Sequence, residues 1–249
     1  MSIVLHEREW AENAIANRNL GRLRGEGLKR VAKYYLQCEG YNSQETRNKL
    51  ESLLLQCDPK VSIAKWDERL DRYIRDAKKE PLFDIDGVTV YKEELEVIDA
   101  LEGSQIRRLA FVLLCVAKYR NALRIENDNW GSTSDSELMK MANVNTSTRK
   151  QSLMWYRMRD AGLIRYSKRV DNLNVRVLYL RESGEEALFI NDFRNLGNQY
   201  LLYAGEPLMQ CVECGLIVKR GSNAQRYCPD CATEMYVKNA VEAVMRRGS

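Results

Sequence analysis

The sequence predicts a mainly α protein with small β elements, built as three successive modules. These are a helical N-terminal part, a helical middle closed by a β-hairpin, and a small C-terminal part organised around four cysteines. Three observations carry this reading. Apolar residues recur at helical spacing over most of the 249 residues, with Gly, Asn and Asp punctuating the segments. The β-rich runs are short and lie in pairs around polar turns. Four of the seven cysteines form two Cys-x-x-Cys pairs, Cys211/Cys214 and Cys228/Cys231.

Residues 1–82 read as the helical module. Helix-compatible segments run over 3–16, 27–38, 43–55 and 62–79, with breaks at Gly21, Gly25, Gly40 and Pro59. Ser43 is the expected N-cap of the third segment. The pattern Gly40-Tyr41-Asn42-Ser43, Leu50, Cys57-Asp58-Pro59 and Trp66 is similar to the small helical domain at the C-terminus of some plasmid and phage primases. The primase catalytic motifs do not accompany it, so the resemblance implies a relative of a replication module without the polymerase.

Residues 83–182 form the second module. Asp86-Gly87 is expected to make a type I′ turn between Phe83-Asp84-Ile85 and Val88-Thr89-Val90, followed by a helix over 92–101. A helix over 103–123, capped by Ser104, is apolar on most sides, with Ile106, Leu109, Ala110, Leu113, Leu114 and Ala117 on one stripe and Phe111, Val112 and Val116 elsewhere. It is expected to be buried, with the N-terminal helices packed on it as one body. Ser134 to Glu137 has capping-box spacing before a short helix with Leu138, Met141 and Ala142 inward. Asn143-Val144-Asn145 makes a turn, and a third helix over 146–161, with Gln151, Met154, Trp155 and Met158 inward, stops at Gly162. Runs over 163–170 and 175–180 around a polar turn make a hairpin.

This order resembles a winged helix-turn-helix domain over about 80 residues, most specifically in the ending Asp160-Ala161-Gly162-Leu163-Ile164. The resemblance implies that the third helix enters a DNA major groove and that the wing touches phosphates. The expected nucleic-acid-binding residues are then Thr146, Ser147, Arg149, Lys150 and Arg157 on the helix, and Lys168, Arg169, Asn172, Asn174 and Arg176 on the wing. Charge agrees. Between Asn143 and Leu180 stand eight cations (Arg149, Lys150, Arg157, Arg159, Arg165, Lys168, Arg169, Arg176) against Asp160 and Asp171, a surplus of +6 in a chain whose formal net charge is +4. A basic segment on a slightly acidic remainder is the footprint of a protein that docks one face on a polyanion.

Residues 183–206 are expected to hold a connecting amphipathic helix over 185–196, with Leu188, Phe189 and Phe193 inward. The remainder, 207–249, reads as a four-cysteine module with a closing helix over 233–247. Thirteen residues separate the two Cys-x-x-Cys pairs, and Gly215 after Cys214 suits the left-handed turn of a metal knuckle. Strands over 216–219 and 225–227 would complete a module that resembles a zinc ribbon. One structural Zn²⁺ is the expected cofactor, held by Cys211, Cys214, Cys228 and Cys231. Cys38, Cys57 and Cys115 have no paired spacing and are read as core.

Composition bounds the function. Mean hydropathy is −0.49, and the longest apolar run, 109–117, stops at Lys118 and Arg120, too soon to cross a bilayer. With Glu7, Arg8 and Glu9 in the first ten residues and no apolar core before a cleavage site, a cytoplasmic protein without a signal peptide or membrane partner is expected. The single histidine, His6, is poor material for acid–base catalysis, so binding rather than an enzyme activity is expected. The three-part layout resembles small proteins of phages and mobile elements of low-GC Gram-positive bacteria. It implies a DNA-binding protein acting in replication or transcription control. The alternative is an interaction protein that inhibits a host defence system, as anti-CRISPR proteins do, or docks on host polymerase. The oligomeric state stays open.

Overall fold

The computed structural model describes residues 3–21, 23–131, 134–167 and 174–247. The chain divides into two compact units, 1–87 and 88–249. The first unit is helical: α1 (Glu7–Ala16), α2 (Arg24–Gln37), α3 (Ser43–Cys57), a single 3₁₀ turn (Ile63–Lys65) and α4 (Asp67–Ala77). Leu28, Val31 and Ala32 of α2, Leu50 and Leu54 of α3, and Leu70 and Ala77 of α4 form a fully buried core, with Trp10 and Trp66 packed at its margin. The cap of α3 is Asn42, not Ser43. Its side chain accepts from Gln44 N–H (2.9 Å) and Glu45 N–H (3.0 Å), while Glu45 Oε2 accepts from Asn42 N–H (2.8 Å). Moving the cap back one residue puts Glu45 at the third helical position and completes the capping box.

Among the described residues of this unit, three charged side chains are buried. Glu7 receives Lys33 Nζ at 3.2 Å and Arg30 Nε at 3.4 Å, and Lys33 also reaches Glu80 at 3.5 Å. Buried charges persist only when paired, and here each one is. Gln37 closes α4 by donating to the carbonyls of Ala77 (3.0 Å) and Glu80 (2.9 Å).

The hairpin expected at Asp86-Gly87 does not form. Gly87 lacks the positive φ that a type I′ turn requires. Residues 83–85 instead return to 5–7, with Glu7 N–H donating to Phe83 O and Ile85 N–H to Leu5 O, both at 3.0 Å.

The second unit begins with β1 (Val88–Tyr91), α5 (Lys92–Asp99) and α6 (Ser104–Leu123). It continues with β2 (Trp130–Gly131), α7 (Asp135–Met141), α8 (Thr148–Asp160), β3 (Ile164–Tyr166), β4 (Val175–Val177) and β5 (Glu186–Ile190). Then come α9 (Leu196–Tyr203), β6 (Leu208–Gln210), β7 (Ile217–Lys219) and α10 (Pro229–Arg247). Among the described residues the sheets are small and antiparallel: β1 with β5, β2-β4-β3, and β6 with β7.

Helix α6 is buried from Leu109 to Ala117 without a break, as its apolar surface demands. Within its own unit it is covered by α5, α7, α9, β1, β2 and β4. Gly103, at φ +100°, takes the N-cap position expected of Ser104. Ser134 is the N-cap of α7, but its hydroxyl lies 3.3 Å from Ser136 Oγ and makes no cap bond, so the expected capping box is incomplete.

Residues 186–190 are a strand, not the amphipathic helix expected over 185–196. Val88, Thr89 and Val90 pair with Ile190, Phe189 and Leu188, which leaves Phe189 57% exposed instead of inward. The connecting helix is α9, a turn or more further on. Phe111 of α6 stacks on Tyr200 of α9 at a centroid distance of 5.6 Å, and Tyr119 on Phe193 at 5.6 Å. Cys115 is fully buried, whereas Cys38 is exposed and Cys57 half-buried, so only the first of the three belongs to a core interior. No helix among the described residues is long and apolar enough to cross a membrane.

Candidate metal centre and nucleic-acid interface

Hairpin β6–β7 carries the first cysteine pair at its tip. Leu208, Met209 and Gln210 pair with Lys219, Val218 and Ile217, and Cys211 N–H donates to Leu216 O while Gly215 N–H donates to Cys211 O, both at 2.9 Å. Gly215 has φ +73°, the left-handed conformation that closes such a knuckle. The second pair flanks the start of α10. Cys228 precedes Pro229, the first helical residue, and Cys231 lies in the first turn with its N–H 3.5 Å from Cys228 Sγ. Val212 N–H donates to Arg226 O at 3.1 Å and joins the halves. Residues 225–227 do not form the expected returning strand, and β7 pairs with β6 instead.

The four Sγ atoms lie within 4.8 Å of one another, and Cys211, Cys228 and Cys231 are buried. Cys214 Sγ and Cys228 Sγ are 3.8 Å apart. A tetrahedron of thiolates at about 2.3 Å from a metal has edges of about 3.8 Å, so this donor set can hold one metal ion. Backbone N–H groups, that of Cys214 foremost, lower the Cys211 thiol to about 6. The neighbouring thiols, Cys228 foremost, push Cys231 the other way. Four thiolates without a cation repel one another, and a divalent ion removes that conflict.

Helix α9 joins this module to the turn before α8. Asn198 donates from Nδ2 to Ile217 O at 2.9 Å and accepts at Oδ1 from Asn143 Nδ2 at 3.3 Å. Arg194, paired with Asp192 at 2.7 Å, donates to Cys214 O at 2.6 Å. Gly197 rests on Ala142, where a Cβ would lie 2.3 Å from the carbonyl oxygen, so only glycine permits the approach. Arg108 of α6 holds Asn143 O at 2.7 Å from the other side. Sequence reasoning missed Asn143, Arg194 and Asn198, because these contacts join residues 19 to 55 positions apart.

Helix α8 buries Met154, Trp155 and Met158 and turns its opposite face to solvent. Ser147, Arg149, Lys150 and Arg157 are exposed there, and the three cations form no ion pair among the described residues. Thr146 lies before the helix and is half-buried, with its carbonyl accepting from Gln151 Nε2 at 3.0 Å. Arg159, counted in the charge surplus but not singled out, stacks on Tyr156 at 4.9 Å. Leu153 and Tyr156 are 47% and 51% exposed on the same face.

On the hairpin, Arg176 faces Arg165 across the β3–β4 register and pairs with the Asp128 carboxylate, its Nε also donating to Asp128 O at 3.1 Å. Its charge is therefore answered locally, which sequence counting did not register. Asn174 accepts at its carbonyl from Ser167 N–H at 3.0 Å. Lys168, Arg169 and Asn172 lie outside the described residues. Thus α8 gathers Arg149, Lys150 and Arg157, while Arg176 is held by Asp128. No family model, curated protein or solved structure matches the chain.

Proposed function

We propose that the second unit is a winged helix-turn-helix that binds duplex DNA, in replication or transcription control of a phage or mobile element, with one structural Zn²⁺ in the four-cysteine module. The observation that carries this reading is the exposed face of α8. Arg149, Lys150 and Arg157 stand there without carboxylate partners among the described residues, on the second helix of a helix-turn-helix followed by a β-hairpin. A helix so presented fits a major groove about 12 Å wide, where its N-terminal residues meet base edges and its cations meet phosphates. Arg149 and Lys150, in the first turn, are the base-edge and phosphate candidates, and Arg157 is a phosphate contact two turns on.

Zinc suits the donor set, since four thiolates favour a closed tetrahedral site over one with an open position. Bound there, the ion supplies fold stability rather than reaction chemistry. Cys211 and Cys214 hold it from the hairpin, Cys228 and Cys231 from α10.

The test is a titration of fluorescently labelled random 30-bp duplex with the full chain. Arg149→Glu with Lys150→Glu is expected to weaken binding by about tenfold or more at moderate salt. Unchanged affinity excludes α8 as the contact. A second reading, a protein-docking surface used against a host protein, is favoured by the exposure of Leu153 and Tyr156. It predicts a stoichiometric protein complex that survives nuclease treatment and is lost in Leu153→Asp.

A further inference from the structure

The first unit holds a second basic surface that charge counting conceals. Between Trp66 and Lys79 the sequence has Arg69, Arg72, Arg75, Lys78 and Lys79 against Asp67, Glu68, Asp71 and Asp76, an almost balanced set. The fold sorts these charges by side. Arg47 of α3 takes both the Asp67 and Asp71 carboxylates on one flank of α4, and Lys29 of α2 reaches Asp76 at 3.9 Å on the other. The five cations have no ion pair among the described residues, and Glu68 is the one carboxylate of the stretch left without one. Leu70, Ile74 and Ala77 point into the core, so Arg72 and Arg75 face outward on α4, and Lys79, exposed in the turn just past its end, extends the ridge. Arg72 lies 5.7 Å over the Tyr73 ring and Arg69 5.4 Å over Trp66, contacts that steady the guanidinium groups while leaving their N–H edges free for an anion.

We propose that this ridge of α4 binds the phosphate backbone of duplex DNA, as a contact additional to α8. The last turn and a half of α4 from Arg72, with the turn that carries Lys79, advances about 10 Å, the rise of about three phosphates along one strand. A membrane surface fits less well, because a helix lying on lipid needs an apolar face, and that of α4 is spent on the core. The inference shares with the proposed function only its polymer: it concerns a different unit and different residues.

The experiment measures affinity of the full chain for a random 30-bp duplex over a series of salt concentrations. Arg72→Gln/Arg75→Gln/Lys79→Gln is expected to weaken binding about tenfold or more and to flatten the slope of log K against log salt by about 2 to 3. Glu68→Lys, which lengthens the ridge, is expected to tighten binding and steepen the slope by about 1, a gain that misfolding cannot imitate. Unchanged affinity and slope in both variants overturn the inference, whatever Arg149→Glu/Lys150→Glu does. Loss with the ridge variant but none with the α8 variant supports the ridge and removes α8. A wild-type chain that leaves the duplex unbound overturns both.

Discussion

Glu94 is fully buried and uses both carboxylate oxygens. Oε1 accepts from Lys118 Nζ at 2.9 Å and from Arg181 N–H at 2.6 Å, and Oε2 from Tyr91 N–H at 2.9 Å. Lys118 also donates to Arg181 O at 3.1 Å and sits 4.4 Å over the Tyr91 ring. One ion pair thus joins α5, α6 and the segment leading to β5. The lysine that ends the apolar run of α6 is part of the interior of the second unit. Lys118→Met should leave Glu94 buried without its counter-charge and cost about 3 to 5 kcal/mol, read as a lowered urea midpoint. Replacing Lys92, whose Glu185 partner at 3.1 Å is exposed with it, should change the same midpoint little.

At the scale of elements, α9 is the piece on which the four-cysteine module and the turn before α8 both depend. Asn198 spans the two with one amide, and Arg194 holds the carbonyl of a cysteine in the knuckle. Metal that fixes the knuckle should therefore fix the start of α8. Chelation is expected to speed amide hydrogen exchange in 196–203 and 142–150 as well as in 208–219. Asn198→Leu should confine the effect to the cysteine module. Exchange that changes only at 208–219 in the wild type would show that α9 transmits nothing.

For the whole molecule, the distribution of paired charge matters more than its total. In the first unit, burial opposes ionisation of Glu80, yet Lys29 at 3.0 Å and Lys33 outweigh it and hold the carboxyl below its ordinary value of 4.5. Arg24 lowers Asp58 in the same way at 2.7 Å. A depressed carboxylate stabilises the fold above its unfolded value and loses that contribution as pH falls through the folded one. Stability of residues 1–87 should therefore decline below about pH 4.5. Glu80→Gln should be less stable than wild type at pH 7 and show a shallower acid decline, measured by denaturant titration across that range.

Where chemistry is local, the residues alone determined the outcome. The two Cys-x-x-Cys pairs, the stop of α8 at Gly162 and the burial of α6 were legible because each depends on neighbours in the chain or on an apolar surface no fold can leave wet. Exposure of Arg149, Lys150 and Arg157 followed from the same periodicity, since Met154, Trp155 and Met158 claim the opposite face. Pairing between distant segments was not legible. Leu188, Phe189 and Phe193 fit a helical stripe, and only the arrival of Val88–Tyr91 alongside makes residues 186–190 a strand. Ion pairing follows the same rule. Asp67 and Asp71 look like neutralising neighbours on α4, and Arg176 like a free cation, until the fold brings Arg47 and Asp128 beside them. A charge in sequence is a number, but its field depends on which opposite charge the tertiary structure places within a few ångströms.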